Sequence, residues 1–199
     1  MKKKTGIDRS ITARWSRQTQ MVRGGVMRSD FDEMSEALHL TSGFAYDSAE
    51  EVAGRFDGSR EGFVYSRQEN PTVQMFEERM ALLEGADVGR ATSTGMSAMA
   101  TALMCSLEQG DHVVGAKAMF GSNRWLLDNQ LPKFGINTTV VNATNLKEWE
   151  AAISEKTKIV FLESPANPTL EMVDIEAVAK LTHAVGAKLI VDNVFATPV

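Results

Sequence analysis

The chain has 199 residues, of which 43% are hydrophobic and 24% are charged, a composition typical of an ordinary folded globular protein. The formal net charge of −5 is uneven because residues 1–30 carry +6, but no aromatic residues recur at regular spacing among these basic residues, which favours a loosely ordered arm over a nucleic-acid-binding surface. No apolar run is long enough for a membrane span or a secretory signal, so we expect a cytoplasmic protein that binds neither membrane nor nucleic acid.

The first part of the chain contains one clear helix signal. Residues 1–60 give only weak patterns, with short helical candidates at residues 31–38 and 49–56. Asn70 is then a good N-cap, and Pro71 suits the first helical position. Apolar residues recur at helical spacing until Gly85, which is typical of a helix end.

Beyond this helix, helical and strand-like patterns alternate. A second helix is predicted from Thr94 to about residue 107, and we expect its Cys105, the single cysteine, to be buried and inert. Short apolar runs that alternate with helical patterns predict an α/β fold with a mainly parallel sheet and helices on both faces. The strand-like runs are residues 112–116, 138–141, 158–163 and 188–192, and the helical patterns between them are residues 123–131, 146–154 and 175–185.

Polar residues that follow the predicted strands are the candidate ligand-binding groups, because open parallel sheets bind ligands outside the carboxyl ends of their strands. Small polar residues at 92–97 lead into a helix and suit a phosphate, although Thr94 also fits an ordinary helix cap. Asn167 lies between two prolines, which either aim its amide at a ligand or simply form a turn. Asp192 ends the last apolar run, and a buried carboxylate there needs a partner: a metal, a hydroxyl, a protonated ring nitrogen or a structural cap.

Five short motifs, taken together in their order, carry a family resemblance. They are Tyr-Ser-Arg-x-x-Asn-Pro-Thr (65–72), Thr-Gly-Met (94–96), Phe-Gly-Ser (120–122), Ser-Pro-x-Asn-Pro (164–168) and Val-Asp-Asn (191–193). From about residue 63 to residue 199, the sequence resembles the Cys/Met-metabolism family of enzymes that depend on pyridoxal 5′-phosphate (PLP).

The resemblance implies a type I aminotransferase-like fold with PLP as the cofactor. It implies that residues 1–60 form an amino-terminal arm that contacts a partner subunit, and that residues 61–199 form the first part of the large PLP-binding domain. The chain would then be the amino-terminal half of the enzyme. No metal site is expected, because the three histidines lack the spacing of metal ligands.

The resemblance also implies four groups that bind the phosphate of PLP. Tyr65 and Arg67 would reach across a dimer interface to the cofactor of the neighbouring subunit. Gly95 and Met96 would donate backbone N–H groups to the phosphate of their own subunit. The arginine suits this role because its guanidinium binds phosphate in a bidentate manner and keeps its charge. We therefore expect a homodimer with shared active sites, assembled into a homotetramer.

Three further residues are implied to bind the pyridine ring. Phe120 would stack on the ring, Asn167 would lie near its phenolic oxygen, and Asp192 would pair with its nitrogen. Asp192 would keep that nitrogen protonated, so that the ring accepts electrons from the α-carbon of the substrate. This is the role on which the chemistry depends.

Phe120 also bears on the reaction, because many family members have tyrosine at this position. Phe-Gly-Ser is common in sequences that resemble the sulfhydrylase branch, which implies γ-replacement of O-succinyl-L-homoserine by sulfide to give homocysteine and succinate. The alternatives are cystathionine γ-synthase, O-acetylhomoserine sulfhydrylase or γ-lyase activity and, outside the family, a non-catalytic α/β binding module.

No catalytic residue is expected within these 199 residues. The resemblance places the Schiff-base lysine some twenty residues after Asp192, and therefore beyond Val199. Lys188 precedes Asp192 in the same predicted strand, so we expect it at the start of that strand.

Overall fold

The computed structural model describes residues 8–198, which fall into two compact units, residues 8–91 and residues 92–197. The first unit is helical, and the second contains a parallel sheet and its helices. Among the described residues, no helix is long and apolar enough to cross a membrane.

The first unit contains four helices, and two of them confirm predictions from the sequence. The strongest prediction is α4: the Asn70 side chain accepts a hydrogen bond from the Thr72 N–H at 2.8 Å, and Gly85 ends the helix with a left-handed φ of 65°. The candidate at residues 49–56 is also a helix. The four are α1 (Arg9–Thr12), α2 (Arg17–Arg23), α3 (Ala49–Phe56) and α4 (Pro71–Glu84).

The helix predicted at residues 31–38 is wrong. Residues 31–38 form a turn, a bend and irregular backbone. The carboxylate of Glu33 accepts hydrogen bonds from both the N–H and the hydroxyl of Ser29, at 2.9 and 2.7 Å. Asp32 has a φ of 54°, which lies outside the right-handed helical region. Side-chain bonds to the local backbone therefore replace the helical pattern here.

The second unit alternates helices with four strands, as predicted. The four strands lie within a residue of their predicted bounds, and Lys188 begins the last of them. The predicted helix at residues 123–131 is instead a helix, a π-helical turn and a final helical turn in series. The elements are α5 (Gly95–Met104), β1 (His112–Ala116), α6 (Gly121–Trp125), the π-helical turn (Leu126–Gln130), α7 (Leu131–Lys133), β2 (Asn137–Val141), α8 (Leu146–Ala152), β3 (Thr157–Glu163), α9 (Ile175–Ala184) and β4 (Lys188–Asp192).

The sheet has the strand order β2-β1-β3-β4, and every neighbouring pair is parallel. The side chains of β3 from Ile159 to Leu162 are fully buried although they alternate between the two faces, so both faces of this strand are covered. The core of the unit surrounds β1 and β3. The predicted α/β class with a mainly parallel sheet is confirmed.

The expectation that Cys105 is buried is wrong. Helix α5 ends at Met104, and Cys105 follows it as an exposed residue. Its thiol lies 3.6 Å from the carbonyl oxygen of Ala102, within the last turn of the helix. The apolar run of the sequence thus extends beyond the last residue of the helix, and Cys105 lies in that extension.

Candidate functional site

The strand order creates a crevice at the carboxyl edge of the sheet. From β1 the chain crosses to β2 on one side, and from β3 it crosses to β4 on the other side. The loops that leave β1 and β3 therefore diverge, and open parallel sheets bind ligands at such a point. Phe120 lies in the loop after β1, Asn167 in the loop after β3, and Asp192 at the end of β4.

Asp192 is a buried carboxylate that two neutral donors hold in place. It is 7% exposed, and its Oδ2 accepts a hydrogen bond from Asn123 Nδ2 at 2.7 Å. Its Oδ1 accepts one from the backbone N–H of Val194 at 3.1 Å. No cationic side chain pairs with it among residues 8–198. A buried carboxylate in this position suits a ligand with a protonated nitrogen.

Glu163 is a second buried carboxylate, and it links the two divergent loops. It is 1% exposed, and it stands beside Asp192 in the register of β3 and β4. Its Oε2 accepts from the N–H of Phe120, and its Oε1 accepts from the N–H of Asn167 at 3.0 Å. Burial raises the pKa of Glu163, and the charge of Asp192 adds to the rise. The bonds to Glu163 fix the backbone of both predicted ring-binding residues.

Phe120 and Asn167 keep their side chains available at this edge. The Phe120 ring is 41% exposed and occupies the N-cap position of α6. The Asn167 side chain is half-buried, and its amide forms no hydrogen bond within the described part of the chain. Both proline peptide bonds of the loop, Ser164–Pro165 and Asn167–Pro168, are cis.

The first turn of α5 leaves two backbone donors free. The Thr94 hydroxyl accepts from the N–H of Ser97 at 3.0 Å, which confirms the helix cap. The N–H groups of Gly95 and Met96 have no acceptor among the residues that the structure describes. The space around Gly95 is open, since a Cβ placed there would meet no atom within 4 Å. This turn therefore presents N–H groups and the positive end of the helix dipole to an anion.

Tyr65 and Arg67 lie in the first unit and form an exposed pair. The guanidinium carbon of Arg67 lies 5.5 Å from the centroid of the Tyr65 ring, a cation–π contact. Tyr65 itself is held by a β-bridge to Gly43. Within residues 8–198 no carboxylate pairs with Arg67, so its charge is available to a phosphate. Its predicted role across a dimer interface stays a prediction.

The structure thus brings three of the seven predicted residues, Phe120, Asn167 and Asp192, to one edge through bonds to Glu163 and Asn123. Helix α5, which carries Gly95 and Met96, packs against α6. These placements agree with the predicted roles, which remain predictions.

Sequence reasoning did not single out Glu163 or Asn123. Glu163 had a visible signal, because it is a charged residue that ends the apolar run 159–162. Asn123 had none, because at the start of a predicted helix it is indistinguishable from an ordinary surface asparagine.

Comparisons with known proteins give one family. The model of the Cys/Met metabolism PLP-dependent enzymes matches residues 18–199. An O-succinylhomoserine sulfhydrylase of Mycobacterium tuberculosis is 48% identical over 92% of this chain and 45% of its own length. An L-methionine gamma-lyase of Fusobacterium nucleatum is 38% identical over 90% of this chain and 46% of its own length. The chain spans about half the length of the curated relatives it matches.

A solved structure shows the same fold. It is a putative O-acetylhomoserine (thiol)-lyase of Campylobacter jejuni with an N′-pyridoxyl-lysine-5′-monophosphate residue. The TM-score is 0.87 at 28% identity, over 92% of this chain and 45% of that one. The predicted type I fold is thereby confirmed.

Proposed function

Because the chain belongs to the Cys/Met metabolism family of PLP-dependent enzymes, we propose that the protein binds PLP and catalyses a γ-replacement. The substrates would be O-succinyl-L-homoserine and sulfide, and the products homocysteine and succinate. The C–O bond to succinate would break first, and succinate would leave with its electron pair. Sulfide would then form the new C–S bond at the γ-carbon.

The observation that carries this proposal is the buried carboxylate of Asp192. It ends β4 without a cationic partner among the described residues, and Asn123 and Val194 fix its two oxygens. When bound, PLP supplies a protonated ring that accepts the electrons left on the substrate's α-carbon. Asp192 would hold the proton on the ring nitrogen, which requires a charged carboxylate at a fixed position.

The other residues would bind and orient the cofactor. Gly95 and Met96 would bind phosphate with their free N–H groups, at the end of the helix where an anion is favoured. Phe120 would restrict the tilt of the ring by stacking, a contact worth about 0.5–1.5 kcal/mol beyond burial. Asn167 would donate its unpaired amide to the phenolic oxygen.

Two observations support the sulfhydrylase reaction over its relatives in the family. Phe120 offers the ring face without a phenol, so no hydroxyl at this position can relay a proton or activate the substrate amine. The O-succinylhomoserine sulfhydrylase is 48% identical to this chain, whereas the L-methionine gamma-lyase is 38% identical.

The assembly that we propose is a homodimer with shared sites, paired into a homotetramer. Residues 1–60 would form the arm that contacts the partner, and residues 61–199 would belong to the large PLP-binding domain. The exposed Arg67 supports sharing, because its charge finds no carboxylate partner in the described part of its own chain. We place the protein in the cytoplasm, where the exposed thiol of Cys105 stays reduced.

An assay of the full-length, PLP-loaded protein tests the reaction. With O-succinyl-L-homoserine, we expect sulfide to be a better nucleophile than cysteine, and homocysteine and succinate to form in equal amounts. A preference for cysteine would assign the protein to cystathionine γ-synthases instead. Turnover of L-methionine instead of an acylated homoserine would indicate a γ-lyase. A protein that binds PLP but turns over neither compound would be the non-catalytic binding module.

A further inference from the structure

We propose that Asn123 is a positioning residue that holds the carboxylate of Asp192 in place toward the ring nitrogen of PLP. This inference rests on the proposed function, because it concerns the same site. It assigns a role to a side chain that none of the five sequence motifs includes.

The first step of the argument is the contact itself. Asn123 lies in α6, and its Nδ2 donates to Asp192 Oδ2 at 2.7 Å across 69 residues of sequence. Both residues are buried, with 1% of Asn123 exposed. The bond therefore lies away from bulk water, where hydrogen bonds to a charged group are strongest.

The second step is that this bond is one that a charged carboxylate accepts well. An amide nitrogen only donates, and a charged carboxylate accepts such a bond more strongly than a neutral acceptor does. With Asp192 charged, the shared proton stays on the ring nitrogen, where the electron-accepting ring requires it.

The third step is that nothing else accounts for the orientation of the amide. Asn123 Oδ1 is buried, and no donor in the described part of the chain reaches it. Asn123 does not cap α6 either, because the N-cap position is Phe120. The bond to Asp192 is thus the one side-chain hydrogen bond that Asn123 makes within residues 8–198.

The test compares two cofactors in full-length protein. 1-Deazapyridoxal 5′-phosphate has carbon in place of the ring nitrogen, so it keeps the phosphate, the ring face and the aldehyde but cannot use Asp192. Asn123→Leu and Asn123→Ala both remove the donor without introducing a charge. The first keeps the number of side-chain heavy atoms, and the second, which is smaller, guards against misfolding of the first. The dissociation constants of PLP and of the deaza analogue are measured for both variants and for the unmodified protein.

We expect the dissociation constant of PLP to rise at least about tenfold in both variants, and that of the deaza analogue to change less than about threefold. Equal losses for the two cofactors would show a merely structural role and overturn the inference, as would unchanged PLP affinity. The sulfide assay is separate: a protein that binds PLP without turnover would defeat the proposed reaction, while the ratio of the two affinities would still decide the role of Asn123.

Discussion

Two buried carboxylates stand beside each other at the carboxyl edge of the sheet, and their hydrogen bonds separate their roles. Glu163 accepts from two backbone N–H groups, so its oxygens organise the loops of Phe120 and Asn167. Asp192 accepts from one backbone N–H and from Asn123, links neither of these two loops, and is 7% exposed against 1% for Glu163. We therefore assign the structural role to Glu163 and the cofactor contact to Asp192.

Asp192→Asn tests the cofactor contact. The amide keeps the size of the side chain but removes the charge that holds a proton on the ring nitrogen, so we expect kcat for γ-replacement to fall at least about tenfold. Steady-state kinetics of the PLP-loaded protein measure this. The matched control is Asp174→Asn at the exposed N-cap of α9, which should leave kcat unchanged. Near-normal turnover in Asp192→Asn would refute the role.

Glu163→Gln tests the link between the two loops through its pH dependence. The pKa of Glu163 is raised above its usual value of 4.5, so the folded state holds the proton more tightly than the unfolded state. The contribution of Glu163 to the free energy of unfolding is then fully present below pH 4.5 and is lost as the pH rises through the raised pKa. Denaturant unfolding should show the free-energy advantage of Glu163 over the variant shrinking as the pH rises above 4.5. A constant difference would mean that the pKa is not raised.

At the scale of elements, sequence patterns predicted helices and strands most accurately where one physical effect determines the local conformation. The strands were found because their apolar runs are buried on both faces, and α4 because Asn70, Pro71 and Gly85 mark its ends. The predicted helix at residues 31–38 failed because bonds between Ser29 and Glu33 compete with helical ones.

The site could be predicted only in part, because its supporting bonds join residues far apart in sequence. The family motifs pointed to Phe120, Asn167 and Asp192. The bonds from Phe120 to Glu163 and from Asn123 to Asp192 span 43 and 69 residues, and no local pattern records them.

Asn70→Ala tests how the cap of α4 supports the exposed pair Tyr65 and Arg67. Asn70 caps the helix, and its Nδ2 also donates to the carbonyl of His39 and the hydroxyl of Ser66, both at 2.9 Å. Because the side chain is buried, we expect the free energy of unfolding to fall by about 2–4 kcal/mol. Ser66 lies between Tyr65 and Arg67, so PLP affinity should fall as well.

The control for this prediction is the exposed cap of α8. Asn145 accepts from the N–H of Lys147 at 3.2 Å and is not buried, so Asn145→Ala should cost about 0.5–1 kcal/mol and leave PLP affinity unchanged. Urea unfolding of the two variants gives both values. Equal losses would show that Asn70 acts as a cap alone.

At the scale of the whole molecule, the shared site makes a prediction about mixed dimers. Arg67→Ala and Asp192→Asn subunits should each be nearly inactive alone. If Arg67 binds the cofactor of the partner subunit, the two sites of a mixed dimer differ. One site combines the intact Asp192 of one subunit with the intact Arg67 of the other, and the second site lacks both. Random mixing should therefore restore about a quarter of the normal activity.

The experiment is to unfold and refold the two variants together and to assay the mixture against each variant treated alone. Recovery well above the sum of the two would support sharing. No recovery, with mixed dimers shown by mass spectrometry, would place Arg67 and Asp192 in the same subunit's site.

The hydrogen bond between Asn123 and Asp192 also sets the order in which parts of the site can form during synthesis of the chain. A ribosome adds about 5–20 residues per second, so the 69 residues between the two partners take roughly 3–14 seconds to make. During that interval α6 can exist, but its buried amide has no carboxylate to meet. The contacts to the ring nitrogen are completed only when β4 joins β3, so a nascent chain can bind the cofactor ring through Asp192 only after this last strand of the sheet has been made.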